Sequence, residues 1–245
     1  MDSFRSNALA ELEWSGTRSQ WFIQRSRGCL TATEIPGSEF LIAVSMRNPK
    51  FSNDWISEVL SCIRDWRGSA RVTLVDVPYL ASIEVQSTDE SSRRAALRTY
   101  EKQRQEQQAR LAKLVALNDD VCEYQSWSTL IALTPHSLLP ELKAAFDAHG
   151  LTYRLVLEQV RRVFDDVSDV ATLEKLATFL LLEVPTLVSM YYGPAGGCID
   201  VYPGPQAELF WALDAGKLRT ELPIATALAD RGAAHTYAWV TLDDD

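Results

Sequence analysis

The sequence predicts an α/β fold, a single-domain sandwich of helices around a parallel central sheet, and three observations carry that prediction. "EFLIAVS" (39–45) and "ARVTLVDVP" (70–78) are short apolar, β-branched runs of strand length, as expected of parallel strands covered on both faces. Between them, "SNDWISEVLSCIRDWRG" repeats its apolar residues at helical spacing. Strand, helix and strand within about 40 residues form a βαβ unit, which requires a right-handed crossover. The remaining chain alternates periodic helices with two more short strands and shows no internal repeat or low-complexity segment.

Composition supports one such domain. The chain has 245 residues, 47% of them hydrophobic, enough to bury a core without a metal or disulfide staple. The domain is expected to span 1–245, with an N-terminal arm over 1–35 and the core over 39–245. A net charge of −9 argues against nonspecific nucleic-acid binding by the whole surface, although a local basic patch stays open. Cys29, Cys62, Cys122 and Cys198 form no CxxC pair, and no leading apolar segment resembles a signal peptide, so a cytoplasmic location is expected. The longest apolar stretch, "FLLLEVPTLVSM" (179–190), is broken by Glu183 and Pro185, so no membrane span is expected. His136, His149 and His235 lack ligand spacing, and no metal is expected.

The elements follow in order. The first 35 residues read as one or two short strands and an irregular arm. The strand at 39–45 is bounded by "PGS" and by Asn48-Pro49. Ser52 or Asn53 caps the next helix, whose Trp55, Ile56, Val59, Leu60 and Ile63 share a face, and Gly68 ends it. The second strand stops at Pro78. Asp89 or Ser91 caps a long helix running to about residue 118. "HSLLPELKAAFDAHG", "YRLVLEQVRRVFDDV" and "ATLEKLATFLLLEVPTLVSMYYG" read as three more helices, the last ending at Gly193. "GPAGG" (193–197) is a turn, "GCIDVYPGP" a strand broken at Pro203, "QAELFWALDAGK" a helix and "AHTYAWVTL" the last strand.

Four features carry chemistry. Ser45 falls just past the carboxyl end of a strand, where open α/β sheets bind ligands; it is either a loop-capping serine or a nucleophile. It is not in a G-x-S-x-G elbow, and the chain has neither G-x-G-x-x-G nor a Walker A loop. From Ser91 to Lys113 the long helix carries Arg93, Arg94, Arg98, Lys102, Arg104, Arg110 and Lys113 against Glu101 and Glu106, a local +5 in an acidic chain. Its stripe of Arg94, Arg98, Lys102 and Lys113 is either a solvated face or a contact for a nucleic-acid backbone. Glu183 is a lone carboxylate in an apolar helix, so it points outward or is paired, protonated or used. Tyr202 stands where Pro203 must end strand pairing.

In this order and spacing, "AVSMRNPKFS", the basic helix, "FLLLEVP" and "VYPGP" resemble the cyclodipeptide synthases, which convert two aminoacyl-tRNAs to a 2,5-diketopiperazine. The resemblance covers residues 40 to about 205. It implies a Rossmann-like fold similar to the catalytic domain of class I tyrosyl- and tryptophanyl-tRNA synthetases. It implies Ser45 as the nucleophile, Glu183 as the holder of the substrate ammonium, Tyr202 as a proton relay and Asn48 as a hydrogen-bonding support. It further implies Ala43 and Val75 as pocket walls and the seven basic residues from Arg93 to Lys113 as the tRNA contact. Two aminoacyl-tRNAs would be used in sequence by a monomer without a cofactor. Two departures stand out: Phe179 occupies the place of the family's motif tyrosine, and Asn48 occurs together with Tyr202-Pro203, a mixture of two branches. An α/β serine hydrolase or acyltransferase and a non-catalytic tRNA-binding module are the alternatives.

Overall fold

The computed structural model describes residues 10–15, 18–25, 32–46, 48–76, 80, 83, 87, 89–165, 167–193, 197–204, 207–232 and 235–242. Its strands are β1 (Ala10–Ser15), β2 (Ser19–Arg25), β3 (Glu39–Ser45), β4 (Ser69–Val75), β5 (Cys122–Tyr124), β6 (Ile199–Tyr202) and β7 (Thr236–Leu242). The helices are α1 (Asn53–Asp65), α2 (Glu90–Ala116), α3 (Trp127–Leu133), α4 (Leu138–Asp147), α5 (Leu151–Val163), α6 (Val170–Leu176), α7 (Thr178–Tyr192), α8 (Glu208–Asp214) and α9 (Pro223–Arg231).

The strands form one seven-stranded sheet in the order β1-β2-β7-β6-β3-β4-β5. From β7 to β5 every pairing is parallel, as expected for the centre of the sheet. The two short strands expected within the first 35 residues are present. β1 and β2 form an antiparallel hairpin that pairs with β7 and lengthens the sheet. Residues 1–9 and 26–31, with Cys29, lie outside the described residues, as do Pro78 and the 194–196 core of the predicted turn.

The βαβ unit forms as predicted, for local reasons. Ser52 caps α1 by accepting from the Trp55 N–H at 3.1 Å, and Trp55, Ile56, Val59, Leu60 and Ile63 are all buried. Gly68 returns the chain to β4. A Cβ there would stand 2.7 Å from the Phe40 ring and 2.8 Å from the Ser38 carbonyl, an approach only glycine permits. Asp89 caps α2, accepting from the Ser91 and Ser92 N–H groups at 2.8 Å, while the Ser92 hydroxyl accepts from the Asp89 N–H at 3.2 Å.

Alternation along β3 divides the core. Phe40, Ile42 and Val44 face α1 and α2, in a cluster with Trp55, Leu60 and Leu111. Leu41 and Ala43 face the other layer, where α3 to α9 pack in a second cluster. The single helix predicted over 171–193 is two, α6 and α7, dividing at Ala177, whose backbone keeps helical angles. β5, α3 and α9 were not predicted; three and seven residues are too few for periodicity to show in β5 and α3. α9 did carry a start signal, Pro223 at its first turn, and Glu141 of α4 accepts from its Ala225 N–H at 3.0 Å.

Candidate active site

Ser45 is the last residue of β3 and lies in register with Val75, the last residue of β4. Both strands therefore end together at the carboxyl edge of the sheet. Continuing the alternation of Leu41 and Ala43, Ser45 projects on the α7 side. It is partly buried, and its hydroxyl makes no hydrogen bond with any described residue.

The following loop is fastened on both sides. The Asn48 side-chain oxygen accepts from the Lys50 N–H at 3.0 Å, while its amide donates to the Tyr202 hydroxyl at 3.2 Å. Phe51, buried at the end of this loop, stands edge-on to the Tyr202 ring at 5.1 Å. Its carbonyl accepts from the Arg110 guanidinium at 2.8 Å. Tyr202 is thus fixed by an aromatic edge and a hydrogen bond. Burial raises its pKa, against the opposing hydrogen bond from Asn48; the charges of Glu183 and Asp200 push it further up.

The far wall is α7, placed by a contact that the sequence analysis missed. The Tyr191 hydroxyl donates to the Asp200 carboxylate at 2.6 Å, so Asp200 of β6 points at α7. Asp200 pairs with Leu41, four residues below Ser45 on β3, a drop of about 13 Å along the strand. Glu183 lies eight residues before Tyr191, about 12 Å back along the helix axis, and its charge reaches Tyr202 at the end of β6.

Both carboxylates are strongly perturbed. Burial pushes Glu183 up to about 7, with the charge of Asp200 contributing, and burial pushes Asp200 up to about 7, against the Tyr191 hydrogen bond. Glu183 is partly buried and Asp200 is 5% exposed; among the described residues neither has a basic partner. Glu183 is therefore partly withdrawn from solvent and, among the described residues, not half of an ion pair. Phe179, one turn before it, is partly buried and stands edge-on to Phe164 at 5.7 Å. Ala43 and Val75 sit at 7% and 6% exposure in the apolar cluster that also contains Leu181 and Val184.

The basic helix divides by orientation. Arg94, Arg98, Lys102 and Lys113 are exposed, and Arg94 and Arg98 line a shallow groove of about 450 Å³ with Glu90, Ser91 and Ala95. Arg93 and Arg94 reach Glu90 within one turn, and Lys102 approaches Glu106 at 3.8 Å. Arg104 turns inward to Glu101 at 2.8 Å and toward Asp76, beyond β4, at 3.7 Å. Arg110 also turns inward, to Phe51 and Asn53, and burial lowers its pKa.

No histidine stands with Ser45. His235 precedes β7 and lies at the level of Glu39, six residues or about 20 Å from Ser45 along the strands. It is buried and stacked on Tyr191 at 4.1 Å, and burial holds its pKa down to about 3. His136 and His149 are exposed on the helical layer. Among the described residues no group of three or more potential metal ligands gathers, and no helix is long and apolar enough to cross a membrane.

Asp200 and Tyr191 were legible in principle. "CIDVY" places a carboxylate inside an otherwise apolar strand, the same anomaly that singled out Glu183 in its helix.

No family model and no curated protein matches the chain by sequence. Solved structures do match it over most of its length. A Mycobacterium tuberculosis protein, described as relating cyclodipeptide synthetases to type I tRNA synthetases, superposes with a TM-score of 0.64 at 18% identity, covering 98% of each chain. A cyclodipeptide synthase from Fluoribacter dumoffii gives 0.61 at 10% identity, over 96% of this chain and 99% of that one. One from Candidatus Glomeribacter gigasporarum, bound to Phe-tRNAPhe, gives 0.58 at 14% identity, over 84% and 89%. At these identities the likeness is one of architecture: the chain has the fold of the cyclodipeptide synthases.

Proposed function

We propose that this protein is a tRNA-dependent cyclodipeptide synthase that works through an aminoacyl-enzyme on Ser45. The observation that supports the reading is the meeting of three elements toward the carboxyl edge: a serine hydroxyl on β3 and a carboxylate on α7 that, among the described residues, have no hydrogen-bond and no basic partner respectively, and a tyrosine on β6 fixed by Asn48.

The Ser45 oxygen attacks the ester carbonyl of the first aminoacyl-tRNA. The bond from that carbonyl to the terminal ribose breaks, and the serine proton passes to the departing ribose hydroxyl, with Tyr202 as its relay. The charged Glu183 holds the ammonium of the acyl group and orients it. The amine of a second aminoacyl-tRNA then attacks the Ser45 ester, forming the first amide and restoring the hydroxyl. Glu183 takes the ammonium proton, and the freed amine attacks the second ester, closing the six-membered ring while the departing ribose oxygen of the second tRNA takes a proton from the attacking nitrogen. Each step exchanges an activated ester for an ester or an amide, so no ATP is consumed. The exposed stripe Arg94, Arg98, Lys102 and Lys113 contacts the tRNA backbone.

A serine hydrolase reading requires a histidine base, and His235 is about 20 Å away along the sheet. Expression in bacteria followed by mass spectrometry of the medium tests the proposal. Diketopiperazines are expected from the wild type and not from Ser45→Ala. A product that persists in that variant overturns the serine mechanism.

A further inference from the structure

Asp200 is not used by the mechanism above. Four facts place it in the site. It projects on the α7 face, because Tyr191 of α7 donates to it. It pairs with Leu41, directly below Ala43 and Ser45 on the same face of β3. It is 5% exposed, and Ala43 and Val75 above it keep 7% and 6%, whereas Leu41 beside it is sealed at 0%. Asp200, Ala43 and Val75 are thus nearly buried beside and beneath the partly buried Ser45. Finally, only one of its oxygens takes a hydrogen bond from a described residue.

A carboxylate buried among apolar side chains is expensive unless something cationic or hydrogen-bonding completes it. Among the described residues the protein supplies one neutral hydroxyl and no base. Glu183, at the rim, accounts for the ammonium of the acyl group, which leaves Asp200 facing the side chain. The interval fits a long one. Asp200 lies about 13 Å below Ser45 along the strand. An ester on the serine oxygen followed by four or more side-chain bonds at about 1.5 Å each covers most of that distance. Ala43 adds little side-chain bulk between Ser45 and Leu41 on this face of β3.

We propose that Asp200 is the specificity-determining residue of the first acyl site and selects a long cationic amino acid, arginine or lysine, delivered as its aminoacyl-tRNA. This rests on the synthase reading of the site and adds to it a substrate class. The Tyr191 hydroxyl is the positioning group that holds the Asp200 carboxylate on this face of the sheet.

The test uses the full chain and four separately charged, labelled substrates: arginyl-, lysyl-, leucyl- and phenylalanyl-tRNA. Label transferred to the protein and the masses of released products are both read. The wild type is expected to take arginyl or lysyl groups at least about tenfold faster than leucyl or phenylalanyl groups. Asp200→Asn is expected to reduce that ratio at least about tenfold. Because Asp200→Asn alters a buried group, Tyr191→Phe provides a second reading and should lower the same ratio. A purely structural role would lower all four rates together and leave the ratio intact, which would overturn the inference. Preference for the leucyl or phenylalanyl substrate by the wild type would overturn it too, with the synthase reading standing. Absence of transfer from every aminoacyl-tRNA would overturn the synthase reading, and this inference with it.

Discussion

The Asn48 amide donates to the Tyr202 hydroxyl at 3.2 Å, joining the loop that leaves the candidate nucleophile to a strand 154 residues further along the chain. The bond fixes the tyrosine over the carboxyl edge while leaving its own proton free for transfer. Asn48→Ala and Tyr202→Phe should each lower kcat by about ten- to a hundredfold. The double variant should fall little further than the worse single one, because both remove parts of one unit. Independent, multiplying losses measured in single-turnover assays would separate the two roles.

Arg110 is predicted to act on the fold, despite its place in the basic helix. Its guanidinium holds the Phe51 carbonyl and Asn53, and Phe51 in turn braces Tyr202. Arg110→Ala should cost about 1.5–3 kcal/mol of stability, measured by denaturant midpoint, and lower kcat as the loop loosens. A stability change within about 0.5 kcal/mol would show the contact to be dispensable.

The exposed stripe should behave in the opposite way. Arg94→Ala combined with Arg98→Ala should leave the denaturation midpoint nearly unchanged, because among the described residues Arg94 pairs only with Glu90, one turn away on the surface. It should weaken tRNA binding and flatten the slope of log affinity against log salt by about 1.5. An unchanged slope would move the tRNA contact to another face.

Glu183 gives a signed pH prediction. Its folded pKa of about 7 lies above the ordinary value of 4.5, so the folded chain retains a proton that the unfolded chain has lost between those limits. The associated stability is present at pH 4.5 and lost as the pH rises through 7. Glu183→Gln should therefore gain on the wild type by on the order of 1–2 kcal/mol between pH 5 and pH 8. A pH-independent difference would mean that the carboxylate is solvated.

His235 acts with the opposite sign. Burial lowers its pKa from 6.5 to about 3, so below pH 6.5 the unfolded chain takes up a proton that the folded ring refuses. Stability should fall as the pH drops from 6.5 toward 3. Nuclear magnetic resonance should find the His235 ring neutral down to the onset of acid unfolding. Titration near 6.5 in the folded protein would mean that water reaches the ring.

Read as a sequence, the chain fixes the features that depend on near neighbours. The strand ending at Ser45, the cap at Ser52, the return at Gly68 and the cap at Asp89 are each set by residues within a few positions of one another. Glu183 stands out for the same reason, as one charge in an apolar helix. The short β5 and the hairpin of β1 and β2 are less legible. Their stability comes from pairing with strands that sequence distance hides, β4 for one and β7 for the other.

The sequence by itself determined the α/β class, the βαβ unit that delivers Ser45 to a sheet edge, and the basic stripe of α2. All of these follow from periodicity and composition, which are local quantities. Tertiary structure alone decided that Asn48 meets Tyr202, that Arg110 turns inward to Phe51 and that Asp200 faces α7 beneath Ser45. Those relationships depend on strand register and on the packing of α7 across the sheet. No local pattern encodes them, because a side chain's partner is set by which distant surface must be buried against its own.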